Sequence, residues 1–263
     1  MARARVAMCG MLEPNPILRL RLATWNVLHR IHAQNWGESP LSLYPEEQER
    51  LAEVAGRVLS LLGSGCQIIA LQEVSGDLLG QLHARLPPEV QVFEHTYSRL
   101  PRLREPTPGP APLKDPSEHL VTLVSGHEAR RGRAQDADND PGKGFLAVHL
   151  GERCVVINAH VSGRERGRSQ LEMLAREALA NPGPAVIVGD FNVQPGKVRE
   201  AMPPPFELAD HSGQRATRTG GGGQPDSWID HVVGLRATIE EIEVVDAGRC
   251  SDHNPVRAAV ALR

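Results

Sequence analysis

Two strand-like runs, "FLAVHL" at 145–150 and "RCVVINAHV" at 153–161, are separated by only two residues. A parallel pair needs a crossover of a dozen residues or more, so these runs read as a hairpin. That excludes the regular strand-helix alternation of an all-parallel, doubly wound sheet. Further strands are read in "LRLATWNV" (20–27), "QIIALQEV" (67–74), "VQVFEHTY" (90–97), "HLVTLVS" (119–125) and "AVIVGDFNVQP" (185–195). Near the end come "WIDHVV", "IEEIEVV" and "VRAAVAL". Helical spacing appears in "PEEQERLAEVAGRVLSLL", with Pro45 placed in its first turn, in "LLGQLHARL" and in "SQLEMLAREAL". Strands outnumber helices, so the expected fold is α/β: two facing mixed sheets with helices outside, a four-layer sandwich.

No linker divides two cores, so 20–263 reads as a single domain preceded by an extension at 1–19. Three stretches read as loops: the Pro-rich 99–116, the charged 126–143, and 203–227, which contains "GGGG". Loops of such length inside a domain are functional or disordered. The opening "MARARVAMCGMLEPNP" begins like a signal peptide, but Glu13 and Pro14 stop the apolar run early. No run approaches the ~20 apolar residues of a membrane span. The four cysteines show no metal-type spacing. A reduced, cytoplasmic, membrane-free protein is expected. The net charge of -3 argues against a DNA binder dominated by electrostatics, without excluding a local basic patch.

The strands share an oddity: apolar residues carry the chain to a carboxylate, carboxamide or imidazole. Asn26 ends the first strand and Glu73 follows Ile-Ile-Ala-Leu-Gln. Asn158 and His160 follow Val-Val-Ile, and Asp190 and Asn192 flank Phe191. Asp230 sits inside an apolar strand, while Asp252 and His253 precede one. Singly, each has a plain structural reading. Asn26 can cap a turn, Glu73 can be a strand-end charge, and Asp190-Phe191-Asn192 can be an Asx turn. His160 can be a hydrogen-bonded core histidine, and Asp252-His253 a local charge pair. Together they crowd negative charge wherever the strand ends converge. Two carboxylates at ~4 Å repel by about 4 kcal/mol at an effective dielectric near 20. Such a cluster persists by binding a cation, sharing protons or pairing with His. Oxygen ligands without thiolates favour Mg²⁺, or Mn²⁺, over zinc. With two histidines beside them, the inventory suits phosphoester hydrolysis.

The ordered set "TWNVL", "LQEV", "INAHV", "VGDFNVQP", "WIDHVV" and "SDHNPV" resembles the endonuclease/exonuclease/phosphatase superfamily over 20–262. Within it, the deadenylase-like branch of the Ccr4 and nocturnin type is nearest. The resemblance implies the deoxyribonuclease I-like sandwich and a set of roles. Glu73 is the principal metal ligand, Asn26 lies beside the metal, and Asp252 reaches it directly or through water. Asp190 orients or deprotonates the attacking water, with Asn192 holding it. His160 contacts phosphate oxygens, with Asn158 as a supporting donor. Asp230 fixes the His253 imidazole against the phosphate. Trp228 stands where the family often has Arg, which removes a phosphate contact; Trp228 can stack a base, with a core or rim Trp as the favoured plain reading. Leu28 stands where exonuclease III-type enzymes carry a second acid. Tyr97 is the candidate for the tyrosine that often follows the Glu motif.

Arg164, Arg166 and Arg168 follow His160 in a pattern similar to the deadenylase-like branch, and the last two are candidate substrate contacts. A solvated basic helix start is the alternative. Aromatics make up only 3% of the chain, which argues against an extended base-stacking platform. The resulting expectation is a Mg²⁺-dependent phosphoesterase acting on phosphodiester bonds in nucleic acid, RNA or DNA ends, or on a nucleotide. A small-molecule or lipid-headgroup phosphoesterase is the alternative, and a non-catalytic binding module the third reading. No obligate protein partner is inferable.

Overall fold

Most strands are apolar on both faces, because each sheet is covered on both sides. The computed structural model describes residues 18–105, 113–220 and 225–263. Most of the expected N-terminal extension, with Cys9, lies outside the described residues, as do the centre of the 99–116 segment and most of the "GGGG" run.

The first sheet contains β1 (Arg19–Asn26), β2 (Ile68–Ser75), β3 (Gln91–Thr96), β4 (Glu118–Val124), β11 (Ala237–Val244) and β12 (Val256–Leu262), in the order β11-β12-β1-β2-β4-β3. The second contains β5 (Ala129–Ala137), β6 (Asp140–Leu150), β7 (Cys154–His160), β8 (Ala185–Asp190), β9 (Phe206–Leu208) and β10 (Asp230–Leu235), in the order β5-β6-β7-β8-β10-β9. The helices are α1 (Arg30–Trp36), α2 (Pro40–Leu43), α3 (Glu47–Gly63), α4 (Gly76–Arg85), α5 (Glu165–Ala180) and α6 (Pro195–Ala201). The expected hairpin is present as β6 and β7, in antiparallel register from Gly144↔His160 to Leu150↔Cys154.

Three apolar layers explain the sandwich. Ile68, Ala70, Val156, Val186 and Val188 pack with their neighbours between the sheets. Ile69, Leu71 and Val121 face Leu51, Val54 and Val58 of α3 on one outer side. Ile157, Ala159 and Ile187 face Leu171 and Leu174 of α5 on the other. Strand side chains alternate between inner and outer layers, and both are buried, so the period-two pattern disappears from the sequence.

Strand direction gathers the polar residues. β1 and β2 are parallel, as are β7 and β8, so all four end at one edge of the sandwich. β4, β6, β10 and β12 run antiparallel to these strands, so they begin at that edge. The C-terminal residues Asn26, Glu73, His160 and Asp190 therefore meet the N-terminal residues Glu118, Lys143 and Asp230 and the Asp252-His253 pair.

Two readings change. The charged 126–143 segment is not a loop; it forms β5 and the start of β6. Arg130, Arg131 and Arg133 made it look unstructured, yet such charges suit an exposed edge strand because they discourage further pairing. Helix α3 begins at Glu47 behind an Glu46 cap, leaving Pro45 just outside rather than in the first turn.

Candidate active site

Asp190 ends β8, where the sequence places Gly189 before it. Gly189 adopts φ +148, and a Cβ there would lie 1.8 Å from the Ala159 carbonyl oxygen of β7. That close approach lets β8 run tight against β7 and fixes the direction of the next residue. Asp190 is 1% exposed and fully engaged. Its Oδ1 accepts the Asn192 N–H at 2.9 Å; its Oδ2 accepts the Asn192 and Asn26 amides, each at 3.0 Å. The Asx turn is thus present, and it does not conflict with the role the resemblance implies for Asp190. Burial would raise its carboxyl, but His253, His160 and Lys143 outweigh burial and hold it well below the usual range.

Glu73 is aimed by a bulge. The β2–β4 register shifts between Leu71 and Val74, and Glu73 takes φ 58, turning its carboxylate into the cleft. A non-glycine residue in that conformation costs roughly 1–3 kcal/mol and is retained where surroundings over-determine it. Oε1 accepts from Asn26 Nδ2 at 3.1 Å and Oε2 from the His29 N–H at 3.0 Å. Asn26 meanwhile closes a turn by accepting the Leu28 N–H. Burial opposes ionisation of Glu73, yet His32, His160 and Lys143 keep its pKa well below normal.

The imidazoles lie across from these acids. His160 Nε2 is 3.4 Å from Asp190 Oδ2 and 3.6 Å from Glu73 Oε1. His253 Nδ1 meets Asp230 Oδ2 at 2.9 Å, while its Nε2 lies 3.9 Å from Asp190. Burial penalises the imidazolium, but Asp230, Asp252 and Asp190 overcome this and push His253 up to about 10. Asp230 is held from behind: Thr217 Oγ1 accepts its backbone N–H. Asp252 is paired through Oδ2 with Arg218 Nε at 2.9 Å, so a direct metal contact is left to its buried, partnerless Oδ1.

Other candidates fall elsewhere. Asn158 is fully buried between the sheets, donating to the Leu71 and Val121 carbonyls and accepting from Gln72 Nε2. It is a pin between sheets, and its amide is not free to support a phosphate. Tyr97 is buried at the end of β3, and its hydroxyl has no partner. Burial, then Glu118 and other nearby carboxylates, push it well above 10, so it remains a neutral phenol. Trp228 is half-buried with a partnerless Nε1. Arg164 and Arg168 line a groove of about 400 Å³ that reaches Asn192, whereas the exposed Arg166 does not.

Sequence reading missed several contributors. Lys143 brings its ammonium against both His160 ring nitrogens. Its rarity was the available signal, since an Arg-rich chain has only Lys114, Lys143 and Lys197. Glu118 accepts from His32 Nε2 at 3.0 Å, and its Oε1 lies 3.9 Å from His160 Nδ1. The buried Arg50 guanidinium donates to the Val27, Leu28 and Cys250 carbonyls, tying together the loops after β1 and before β12.

The donor set passes a chemical test for a hard divalent ion. Glu73 and Asp190 present ionised oxygens beside the Asn26 carboxamide, and Glu73, His160 and Asp190 each offer a ligand atom within 4.8 Å of the others. Glu73, with Asp190 and Asn26 beside it, would hold the ion.

Two six-stranded mixed sheets flanked by helices, with this polar seam along one edge, define the deoxyribonuclease I-like α/β sandwich. The chain matches the model of the Endonuclease/Exonuclease/phosphatase family over residues 23–253 and belongs to that family. Among solved structures it is similar to an endonuclease/exonuclease/phosphatase from Bacteroides vulgatus, with 18% identity and a TM-score of 0.67, covering 94% of this chain and 100% of that one. A D. rerio TDP2 complex with single strand DNA product gives 14% identity and a TM-score of 0.66, covering 92% and 98%. A conserved protein of unknown function from Enterococcus faecalis gives 15% and 0.64, covering 93% and 100%. At these identities the likeness speaks for the fold. No curated protein sequence matches the chain significantly. Among the described residues, no helix is long and apolar enough to cross a membrane.

Proposed function

We propose that this chain is a Mg²⁺-dependent phosphodiesterase that hydrolyses phosphodiester bonds in nucleic acid, at RNA or DNA ends. The observation that carries the reading is Asp190, held by three donors between Glu73 and the His253–Asp230 pair. When bound, Mg²⁺ supplies positive charge that offsets the phosphate and its developing negative charge.

The residues divide the remaining work. A carboxylate as acidic as Asp190 is a weak general base, so its main task is to orient water by accepting a hydrogen bond. The rigid hold of Asn26 and Asn192 suits orientation. His253 is an imidazolium at neutral pH, so its Nε2–H donates to a phosphate or leaving-group oxygen, while Asp230 holds the Nδ1–H and fixes the ring direction. His160 and Lys143 supply a second donor face. Arg164, Arg168 and Lys197 line the adjoining groove and suit a polynucleotide backbone. The TDP2 neighbour solved with single strand DNA product supports nucleic acid as the substrate class. Its DNA and the deadenylase-like sequence motifs leave both DNA and RNA to be assayed.

The test is an end-labelled panel of RNA and DNA oligomers incubated with Mg²⁺, Mn²⁺ or EDTA. Cleavage that needs metal and falls about 10²–10⁴-fold in Asp190→Ala is expected. Metal-dependent cleavage that survives in Asp190→Ala refutes the mechanism, and indifference to every oligomer refutes the substrate.

A further inference from the structure

Glu118 is 1% exposed at the start of β4, yet only half of its carboxylate is used. Oε2 accepts from His32 Nε2 at 3.0 Å, whereas Oε1 is buried without any hydrogen-bond partner. A buried, partnerless carboxylate oxygen is costly to maintain and calls for a positive ligand. It is aimed toward the cleft, 3.9 Å from His160 Nδ1. Glu73 lies beside it, and His32, Glu73 and Glu118 each offer one ligand atom within 4.8 Å of the other two. Lys143 and the His32 and His160 imidazoles face these acids, but none hydrogen-bonds Glu118 Oε1, and the nearby His29 adds no charge. Its Nδ1 accepts the Ile31 N–H at 3.2 Å, so the ring proton resides on Nε2 and the ring is neutral.

We infer that His32, Glu73 and Glu118 form a second divalent-cation site, sharing Glu73 with the site beside Asn26 and Asp190. One imidazole and two carboxylates favour a transition ion such as Mn²⁺ over Mg²⁺, which prefers oxygen alone. The inference rests on Glu73 being a cation ligand, as in the proposed function. It adds a ligand source that the motifs do not contain: α1 provides the imidazole and β4 provides the second acid.

The probe is Mn²⁺ itself, added to the full chain after EDTA stripping and dialysis. Equilibrium dialysis should give two Mn²⁺ per wild-type chain and one for Glu118→Gln, a variant that preserves the acceptor for His32. Asp190→Asn should retain the Glu118-dependent ion. Wild-type crystals soaked in Mn²⁺ should show an anomalous peak at bonding distance from both Glu118 and His32. Unchanged stoichiometry in a folded Glu118→Gln protein overturns the inference, as does an anomalous map with no peak between those two side chains. If Glu118→Gln fails to fold, the wild-type map decides. Binding of both ions by a protein that cleaves no oligomer would sink the proposed substrate and leave this site standing. Cleavage with one ion bound near Asp190 would do the reverse.

Discussion

Replacing Gly189 by alanine tests whether the end of β8 is a fixed support for Asp190. The added Cβ would sit 1.8 Å from the Ala159 oxygen and 2.8 Å from its carbonyl carbon, both backbone atoms of the paired strand. Neither can rotate away, so the parallel β7–β8 pair must separate. Overpacking of this kind costs about 1–3 kcal/mol, and a non-glycine residue at φ +148 adds about 1–3 kcal/mol. The sum, roughly 2–6 kcal/mol, lowers Tm by roughly 5–20 °C for a domain of this size. Gly196→Ala in α6 is the control, because its new Cβ meets nothing within 4 Å. It should be neutral or gain up to about 1 kcal/mol from helix propensity. Thermal melts followed by circular dichroism compare the three proteins, and oligomer cleavage is measured below the lowest Tm. A displacement of Asp190 by about 1 Å is expected to cost about 10²-fold in rate. A Gly189→Ala protein whose Tm lies within about 2 °C of wild type would refute the steric argument.

Three further outcomes are expected. Asn158→Ala removes two inter-sheet donors and the acceptor of Gln72, and should cost about 2–4 kcal/mol in urea unfolding while leaving KM unchanged; a raised KM with intact stability would restore Asn158 as a phosphate contact. His253 is raised to about 10 in the folded chain against about 6.5 unfolded. Its contribution is therefore complete below pH ~6.5 and lost as pH rises toward 10. Asp230→Asn should flatten that decline in stability across pH, and an unchanged slope would count against the ion pair. Finally, EDTA should lower Tm relative to protein saturated with Mg²⁺ or Mn²⁺, since ligand at 100 times its Kd contributes about 2.7 kcal/mol; identical melts would argue against tight cation binding.

The polar strand ends were legible because acids and amides interrupt otherwise apolar runs. Asp230 is the clearest case, a carboxylate between Ile229 and His231 just ahead of a valine pair. The motif order then identified the family and the two-sheet fold. Residues at strand beginnings were harder. Glu118 and Lys143 precede apolar segments and look like ordinary loop charges until antiparallel pairing brings them to the active edge. Arg50 is hidden in the amphipathic pattern of α3, since its contacts are to backbone carbonyls far along the chain. Asn158 shows the opposite error. It lies two residues from His160 on β7, so its side chain shares the inward face, but depth along the strand places it in the inter-sheet core instead of the cleft. Strand β5 was unreadable because an edge strand has little apolar pattern to report.

The site belongs to neither sheet alone. Asn26 from the first sheet donates to Asp190 of the second, and His160 of the second lies against Glu73 of the first. Beneath them, Gln72 and Asn158 make a buried hydrogen bond across the same gap at 2.8 Å. The inter-sheet layer therefore sets the distances within the site as well as stability. A cavity formed there, for example by Val188→Ala, leaves every named active-site side chain in the sequence but lets the sheets settle closer or shift. Buried large-to-small changes of this kind destabilise through lost transfer energy and cavity formation. The Asn26–Asp190 bond is the sensitive reporter of such a shift, since it spans the gap and joins the ends of two rigid strands at 3.0 Å. Loss of activity in Val188→Ala greater than its loss of folded protein would place the cause in sheet-to-sheet spacing. Equal losses would place it in folding alone.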